Sequence, residues 1–142
     1  MKVSDIMTKD VVKICQEESV EVAARTLTHY NIGALPVCDA QGKLCGMVTD
    51  RDLVIRCMAA NKPVSDTTVR QVMTNQLVSV EPGADVTEAA QLMGSKQIRR
   101  LPVVEQGKLC GMISLGDIAG EKKTIGQAAS ALTDITSGVR RG

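Results

Sequence analysis

Thr49 and Asp52 stand three residues apart just after the run Gly46-Met47-Val48, and Ser114 and Asp117 share that spacing after Gly111-Met112-Ile113. Where a β-rich run passes into a helical one, this spacing puts a hydroxyl and a carboxylate together at the first helical turn. There the hydroxyl can donate to a phosphate oxygen, and the carboxylate can accept from both hydroxyls of a ribose. The helix start adds backbone N–H groups without intrahelical partners and the positive end of the helix dipole, which suit an anion. The same pattern also resembles a capping box, which satisfies the helix and needs no ligand. The two roles are compatible, and the residues by themselves leave both open.

Other chemistry finds less support. His29 is the single histidine and lies far in sequence from both pairs, so no Ser/His/Asp or Cys/His arrangement suggests itself. Neither a phosphate-binding Gly-x-x-x-x-Gly-Lys loop nor a Gly-x-Gly-x-x-Gly fingerprint occurs. Asp50 and Asp52 could be drawn as an acid–base pair, but each has a simpler role at a helix start, and the chain reads as a non-enzyme. The five cysteines (Cys15, Cys38, Cys45, Cys57, Cys110) form no Cys-x-x-Cys, which with one histidine leaves a metal site without backing. Cys45 and Cys110 occupy equivalent places in apolar runs and read as small core hydrophobes. A redox pairing of Cys38 with Cys45 across a hairpin is the alternative, although thiols of a cytosolic chain are expected to be reduced.

The elements around the two Asp pairs are written twice. Leu35-Pro36-Val37 returns as Leu101-Pro102-Val103, and Gln41 to Met47 returns letter for letter as Gln106 to Met112. Ile6-Met7-Thr8 is matched by Val72-Met73-Thr74. A unit of roughly 65 residues buries little surface alone, so two copies are expected to pack together and leave clefts between them. Val11–Ile14 and Leu77–Val80 predict short strands. Val20, Ala23, Ala24 and Leu27, then Val86, Ala89, Ala90 and Met93, follow helical spacing, with Ser19 and Asp85 as N-caps and Asp85-x-x-Glu88 as a capping box. Hairpins follow over Ala34–Cys38 with Leu44–Thr49 and Leu101–Glu105 with Leu109–Ser114. A second helix is expected from Asp50 to about Ala60, and its counterpart over Leu115–Ala119 ends at Gly120. The organisation is one repeat over 1–60, a linker over 61–68, a second repeat over 69–120, and a tail over 121–142 with a helix between Ile125 and Ile135.

Composition sets outer limits. The chain has 142 residues, 44% hydrophobic and 23% charged, which is ordinary for a globular protein. A net charge of +1 provides no field for nucleic acid or an acidic membrane surface. Tyr30 is the only aromatic among Phe, Trp and Tyr, so stacking platforms for single-stranded nucleic acid are missing. No apolar stretch approaches the ~20 residues of a membrane span. Nor does the N-terminus show a signal peptide's apolar stretch, so a cytoplasmic location is expected.

Taken in order, Ile6-Met7-Thr8, Ile32-Gly33-Ala34-Leu35-Pro36-Val37 and Gly46-Met47-Val48-Thr49-Asp50-Arg51-Asp52-Leu53 resemble the cystathionine-β-synthase-type (CBS) domain. Val72-Met73-Thr74, Ile98-Arg99-Arg100-Leu101-Pro102-Val103 and Gly111-Met112-Ile113-Ser114-Leu115-Gly116-Asp117-Ile118 resemble it again. The resemblance covers Val3 to about Gly120 and implies an α/β fold of two β-α-β-β-α repeats related by a pseudo-twofold axis. Such pairs commonly form homodimers and sense adenosine-containing ligands for a regulated protein. With no effector region of its own, the chain is similar to the free-standing members.

The resemblance also distributes roles. It implies that Asp52 and Thr49 hold ribose and phosphate while Arg99 and Arg100, which replace Gly33 and Ala34 of the first copy, neutralise the phosphates. Asp117 and Ser114 would form the related site without that charge. Arg51 partly compensates, its counterpart being Gly116, and Asp50 lies beside it. Adenine would rest on Ile32, Ile98, Met47 and Met112, residues that serve equally well as core. No cofactor is obligatory. The implied ligands are AMP, ADP, ATP, NAD or S-adenosylmethionine, and the alternatives are a ligand-free dimerisation or protein-interaction scaffold and a cysteine-based redox sensor.

Overall fold

The computed structural model describes residues 1–75, 77–120 and 129–135. The chain divides into two compact units, one spanning Val12–Leu77 and the other combining Met1–Val11 with the chain from Val78 onward.

In the Val12–Leu77 unit, β1 (Ile14–Cys15) lies parallel to β2 (Ala34–Cys38), which pairs antiparallel with β3 (Leu44–Thr49). Between β1 and β2 runs α2 (Val20–Tyr30); the preceding helix, α1 (Val3–Ile6), belongs to the other unit. Ser19 caps α2, its hydroxyl accepting from the Val22 N–H at 3.2 Å, and Asn31 ends it in a left-handed conformation at φ 52°. Val20, Ala23 and Leu27 are buried against Leu35, Val37 and Val48, whereas Ala24 turns to the exposed side. The β2–β3 turn is organised by Asp39, whose Oδ1 accepts from the Gln41 and Lys43 N–H groups, each at 2.9 Å.

The helix expected from Asp50 to Ala60 is not uniform. A single α-turn, α3 (Asp50–Asp52), passes into a π-helical stretch over Leu53–Met58. The Ala59 N–H donates to the Val54 carbonyl five residues back at 2.8 Å. In this stretch Cys57 is fully buried while Val54, Ile55 and Met58 are 51%, 47% and 68% exposed. Beyond the linker, α4 (Val69–Val72) adds Val69 and Val72 to the core.

The second unit begins with α1 (Val3–Ile6) and continues with α5 (Val86–Lys96), β4 (Arg100–Glu105), β5 (Lys108–Ser114) and α6 (Leu115–Ala119). Its core gathers Val3, Val86, Ala89, Ala90, Met93, Leu101, Val103, Ile113 and Ile118. The β4–β5 connection places both Gln106 (φ 52°) and Gly107 (φ 81°) in the left-handed region. Two such residues in a tight hairpin match the twist of the flanking strands. Residues 129–135 are helical, and Ala131 joins the core. Packing there is close: a Cβ on Gly94 of α5 would lie 2.8 Å from an Asp134 carboxylate oxygen. The rest of the helix expected from Ile125 lies outside the described residues, as does most of the tail.

Several expectations are corrected at this level. Val11 to Lys13 form no strand, β1 being confined to Ile14–Cys15, and the second run contributes only the Val80–Val103 bridge. Asp85 does cap α5, but it accepts from the Thr87 N–H at 2.9 Å and does not close a box with Glu88. Cys45 and Cys110 lie within β3 and β5 and pack against the two cores as expected, but each sits at a bulge in its ladder. Val37 pairs with Gly46 and Cys38 with Leu44, while Val103 pairs with Gly111 and Val104 with Leu109, so each cysteine is left without a partner.

The compact units are also offset from the sequence repeats. Met7-Thr8 does not pack on its own repeat: the Thr8 N–H donates to the Met112 carbonyl at 2.8 Å, and Met112 returns the bond at 3.0 Å. Thr74, at the head of the second repeat, exchanges the same pair with Met47, at 3.1 and 2.8 Å. The glycines before these methionines make the approach possible. A Cβ on Gly46 would lie 2.5 Å from the Thr74 carbonyl oxygen, and one on Gly111 would lie 2.6 Å from the Met7 sulfur. The duplicated Met-Thr and Gly-Met motifs are thus the two halves of one docking contact, exchanged between repeats.

Candidate functional site

In the first unit, β3 delivers Thr49 to the start of α3, and both capping bonds form. The Thr49 hydroxyl accepts from the Asp52 N–H at 3.1 Å, and Asp52 Oδ2 accepts from the Thr49 N–H at 2.9 Å. The second unit repeats this at the start of α6: Ser114 Oγ accepts from the Asp117 N–H at 3.1 Å, and Asp117 Oδ2 accepts from the Ser114 N–H at 2.8 Å. The capping role inferred from the spacing is therefore realised in both copies. It leaves chemistry over. Each hydroxyl keeps its own proton to donate, and each carboxylate keeps Oδ1 outside the box.

The helix start itself is less open than its position suggests. The Asp50 N–H donates to the Gly33 carbonyl at 3.0 Å, and the Arg51 N–H to Asp50 Oδ1 at 2.8 Å. With the Asp52 N–H held by Thr49, the first turn of α3 has spent its free donors on the protein. In the second unit the Leu115 N–H is held by the Arg99 carbonyl at 2.7 Å. The start of α3 therefore has few free backbone donors to offer an anion.

The remaining candidates gather around each box. Ala34 pairs with Thr49 in the sheet register, which sets Ile32 and Gly33 beside Asp50; a Cβ on Gly33 would meet the Asp50 carboxylate at 3.5 Å. Ile32 and Met47 are half-buried, and Asp50 and Arg51 are exposed. In the second unit Arg100 pairs with Ser114 across β4–β5, Arg99 is tied through its carbonyl to α6, and both arginines are exposed. Ile98 and Met112 are half-buried like their counterparts. Ile32 and Ile98 also pack against the two cores, so the core reading holds for them at least in part.

Sequence reasoning missed Arg56. Its guanidinium donates to the carbonyls of Val72 (3.2 Å) and Met73 (3.0 Å), and its Nε lies 3.9 Å from Asp52 Oδ1. The signal was present as an i, i+4 Asp–Arg pair on one helical face. The aligned position of the second repeat holds Glu121, so the two sequences differ in charge four residues after the aspartate. His29 sits on the exposed side of α2, edge-on to Tyr30 with ring centroids 4.7 Å apart, and takes no part in either box. Among the described residues no group of three or more His, Cys, Asp or Glu could hold a metal ion, and no helix is long and apolar enough to cross a membrane.

The duplicated fold has matches among known proteins. The family model of the CBS domain matches residues 3–58 and again 69–124. The chain is 43% identical over 141 residues to Bacillus subtilis protein YlbB, covering 99% of this chain and 95% of that one. It is similar in structure to Hypoxic Response Protein I, solved with two coordinated zinc ions, at 32% identity and a TM-score of 0.79, covering 85% of this chain and 98% of that one. The CBS domain pair of protein MJ0100, solved with 5′-methylthioadenosine and S-adenosyl-L-methionine, matches at 29% identity and a TM-score of 0.74, covering 84% and 94%. With the family pattern matched twice and the capping boxes reproduced in both copies, this chain belongs to the CBS domain family as a tandem pair.

Proposed function

We propose that the protein is a regulatory module that binds adenosine-bearing ligands and performs no catalysis. The observation that carries this reading is that each aspartate commits one oxygen to the capping box and keeps the other outside it, at Asp52, where Arg56 lies 3.9 Å away, and again at Asp117. In this reading the oxygen outside the box accepts from the ribose hydroxyls, and the Thr49 or Ser114 hydroxyl donates to the ligand's 5′ substituent. Ile32 with Met47, and Ile98 with Met112, supply aliphatic walls for adenine. Arg99 and Arg100 carry free charge for phosphate, with Asp50 and Arg51 at the rim of the first box. The adenosyl ligands of the MJ0100 pair support the ligand class, and AMP, ADP, ATP and S-adenosylmethionine are its candidate members.

Native mass spectrometry of protein purified without added ligand tests the proposal, together with calorimetric titration of adenosine, AMP and S-adenosylmethionine. Binding of at least one at micromolar concentration, lost in the Asp52→Asn, Asp117→Asn double variant, is the expected result. No binding by any of them refutes it. A second reading, a scaffold that works through protein contact alone, is favoured by the exposed Val54, Ile55 and Met58. In the first reading a second copy of the chain covers that face and the regulated protein binds elsewhere; in the second the regulated protein itself docks there.

A further inference from the structure

The three-stranded sheet of the first unit carries a cysteine on every strand, Cys15 on β1, Cys38 on β2 and Cys45 on β3. Two of them are direct partners: Cys15 pairs with Cys38 in the parallel β1–β2 register, next to the pair Ile14–Val37. Side chains alternate along a strand, so these neighbouring pairs face opposite sides of the sheet. Ile14 and Val37 belong to the unit's core, which turns the two thiols to the other face. Paired residues on adjacent strands lie about 4.8 Å apart, inside the Cα range of roughly 4.4–6.8 Å that a disulfide spans.

We infer that Cys15 and Cys38 form a thiol–disulfide exchange site whose substrate is a small-molecule disulfide such as oxidised glutathione. The second repeat is a natural contrast. Its equivalent positions hold Glu81 and Val104, while the bulge cysteine is kept as Cys110, so the register pair belongs to the first repeat alone.

Accessibility orders the steps. Cys15 is half-buried, whereas Cys38 is 4% exposed and its thiol is pushed up by burial. The Cys15 thiolate attacks one sulfur of oxidised glutathione, forms a mixed disulfide and releases one glutathione as thiolate. Cys38 then yields its proton to solvent and attacks the Cys15 sulfur, releasing the second glutathione. The two protein thiols lose two hydrogens, and one oxidised glutathione becomes two reduced ones. The bond closes a loop that contains all of α2 and ties down β1, which is two residues long.

The test treats the full chain with oxidised glutathione and reads intact mass and non-reduced peptide maps. The expected product has lost two hydrogens, contains a Cys15–Cys38 cross-link and melts several degrees higher than the reduced protein. C38S should instead retain one glutathione on Cys15, and C15S should leave Cys38 reduced. C45S and C110S should still form the cross-link. A Cys38–Cys45 link, a wild-type protein that keeps its glutathione adduct, or one that stays fully reduced at a glutathione poise that oxidises an exposed dithiol would each overturn the assignment.

Discussion

At each box one aspartate oxygen closes the cap, and substitution can separate that role from the proposed contact with a ligand. Asparagine keeps a carbonyl oxygen for the Thr49 N–H but puts a neutral amide nitrogen where Oδ1 stood. Asp52→Asn should therefore leave stability within about 1 kcal/mol of the parent, since the amide oxygen can still close the capping box with the Thr49 N–H. Adenosine affinity at that site should fall roughly ten- to hundred-fold, the worth of ~1.5–3 kcal/mol for a charged hydrogen bond; calorimetry beside thermal melting reads both. Arg100→Ala should weaken AMP and leave adenosine nearly unchanged, because only the nucleotide carries phosphate for the guanidinium. Asp85 makes a different statement about pH. Its carboxylate is held below the ordinary aspartate range by hydrogen bonds from Thr87 and from the N-terminal ammonium. A lowered folded value means a stabilising contribution that is complete above the unfolded pKa and lost as pH falls through the folded one. Asp85→Asn should accordingly lose that contribution at neutral pH, converge with the parent protein in acid, and so flatten the acid limb of a stability–pH profile. The Thr/Ser-x-x-Asp boxes were legible from spacing alone. Arg56 was not singled out, because its partners are carbonyls sixteen and seventeen residues away.

Elements with strong local signals were read well, and those defined by distant partners were not. The helix α5 follows its apolar periodicity and α2 does so but for Ala24; both begin at the expected caps. The strand expected at Val11–Ile14 failed because a parallel strand is made by its neighbour: only Ile14 and Cys15 reach β2. Nothing in the one-dimensional pattern announces the π-helical stretch either, since Leu53, Cys57 and the apolar residues between them suit an ordinary helix. Two substitutions probe this level. Gly111→Ala should destabilise by about 1–3 kcal/mol, the usual cost of overpacking, because its Cβ would strike both the Met7 sulfur and the Thr8 carbonyl. Gln97 ends α5 at φ 57°, so Gln97→Gly should stabilise by up to about 1 kcal/mol by relieving a left-handed residue. Denaturant titration measures both.

Across the whole chain the duplication was plain in the sequence, but how the copies exchange their leading segments was not, because identical motifs do not say which copy docks on which. The exposed Val54, Ile55 and Met58 form the apolar face expected to meet a second copy. Sedimentation should give twice the chain mass at micromolar concentration, and Ile55→Glu should shift it toward the monomer. The exchanged Met-Thr segments carry a further consequence, for ancestry. A single ancestral repeat would have held a Met-Thr arm with no hairpin of its own to receive it, and would have closed only by trading arms with a sister chain. Gene fusion would then have turned an intermolecular swap into an intramolecular one. A modern chain severed in its 61–68 linker should remain associated as two interlocked fragments, each completing the other.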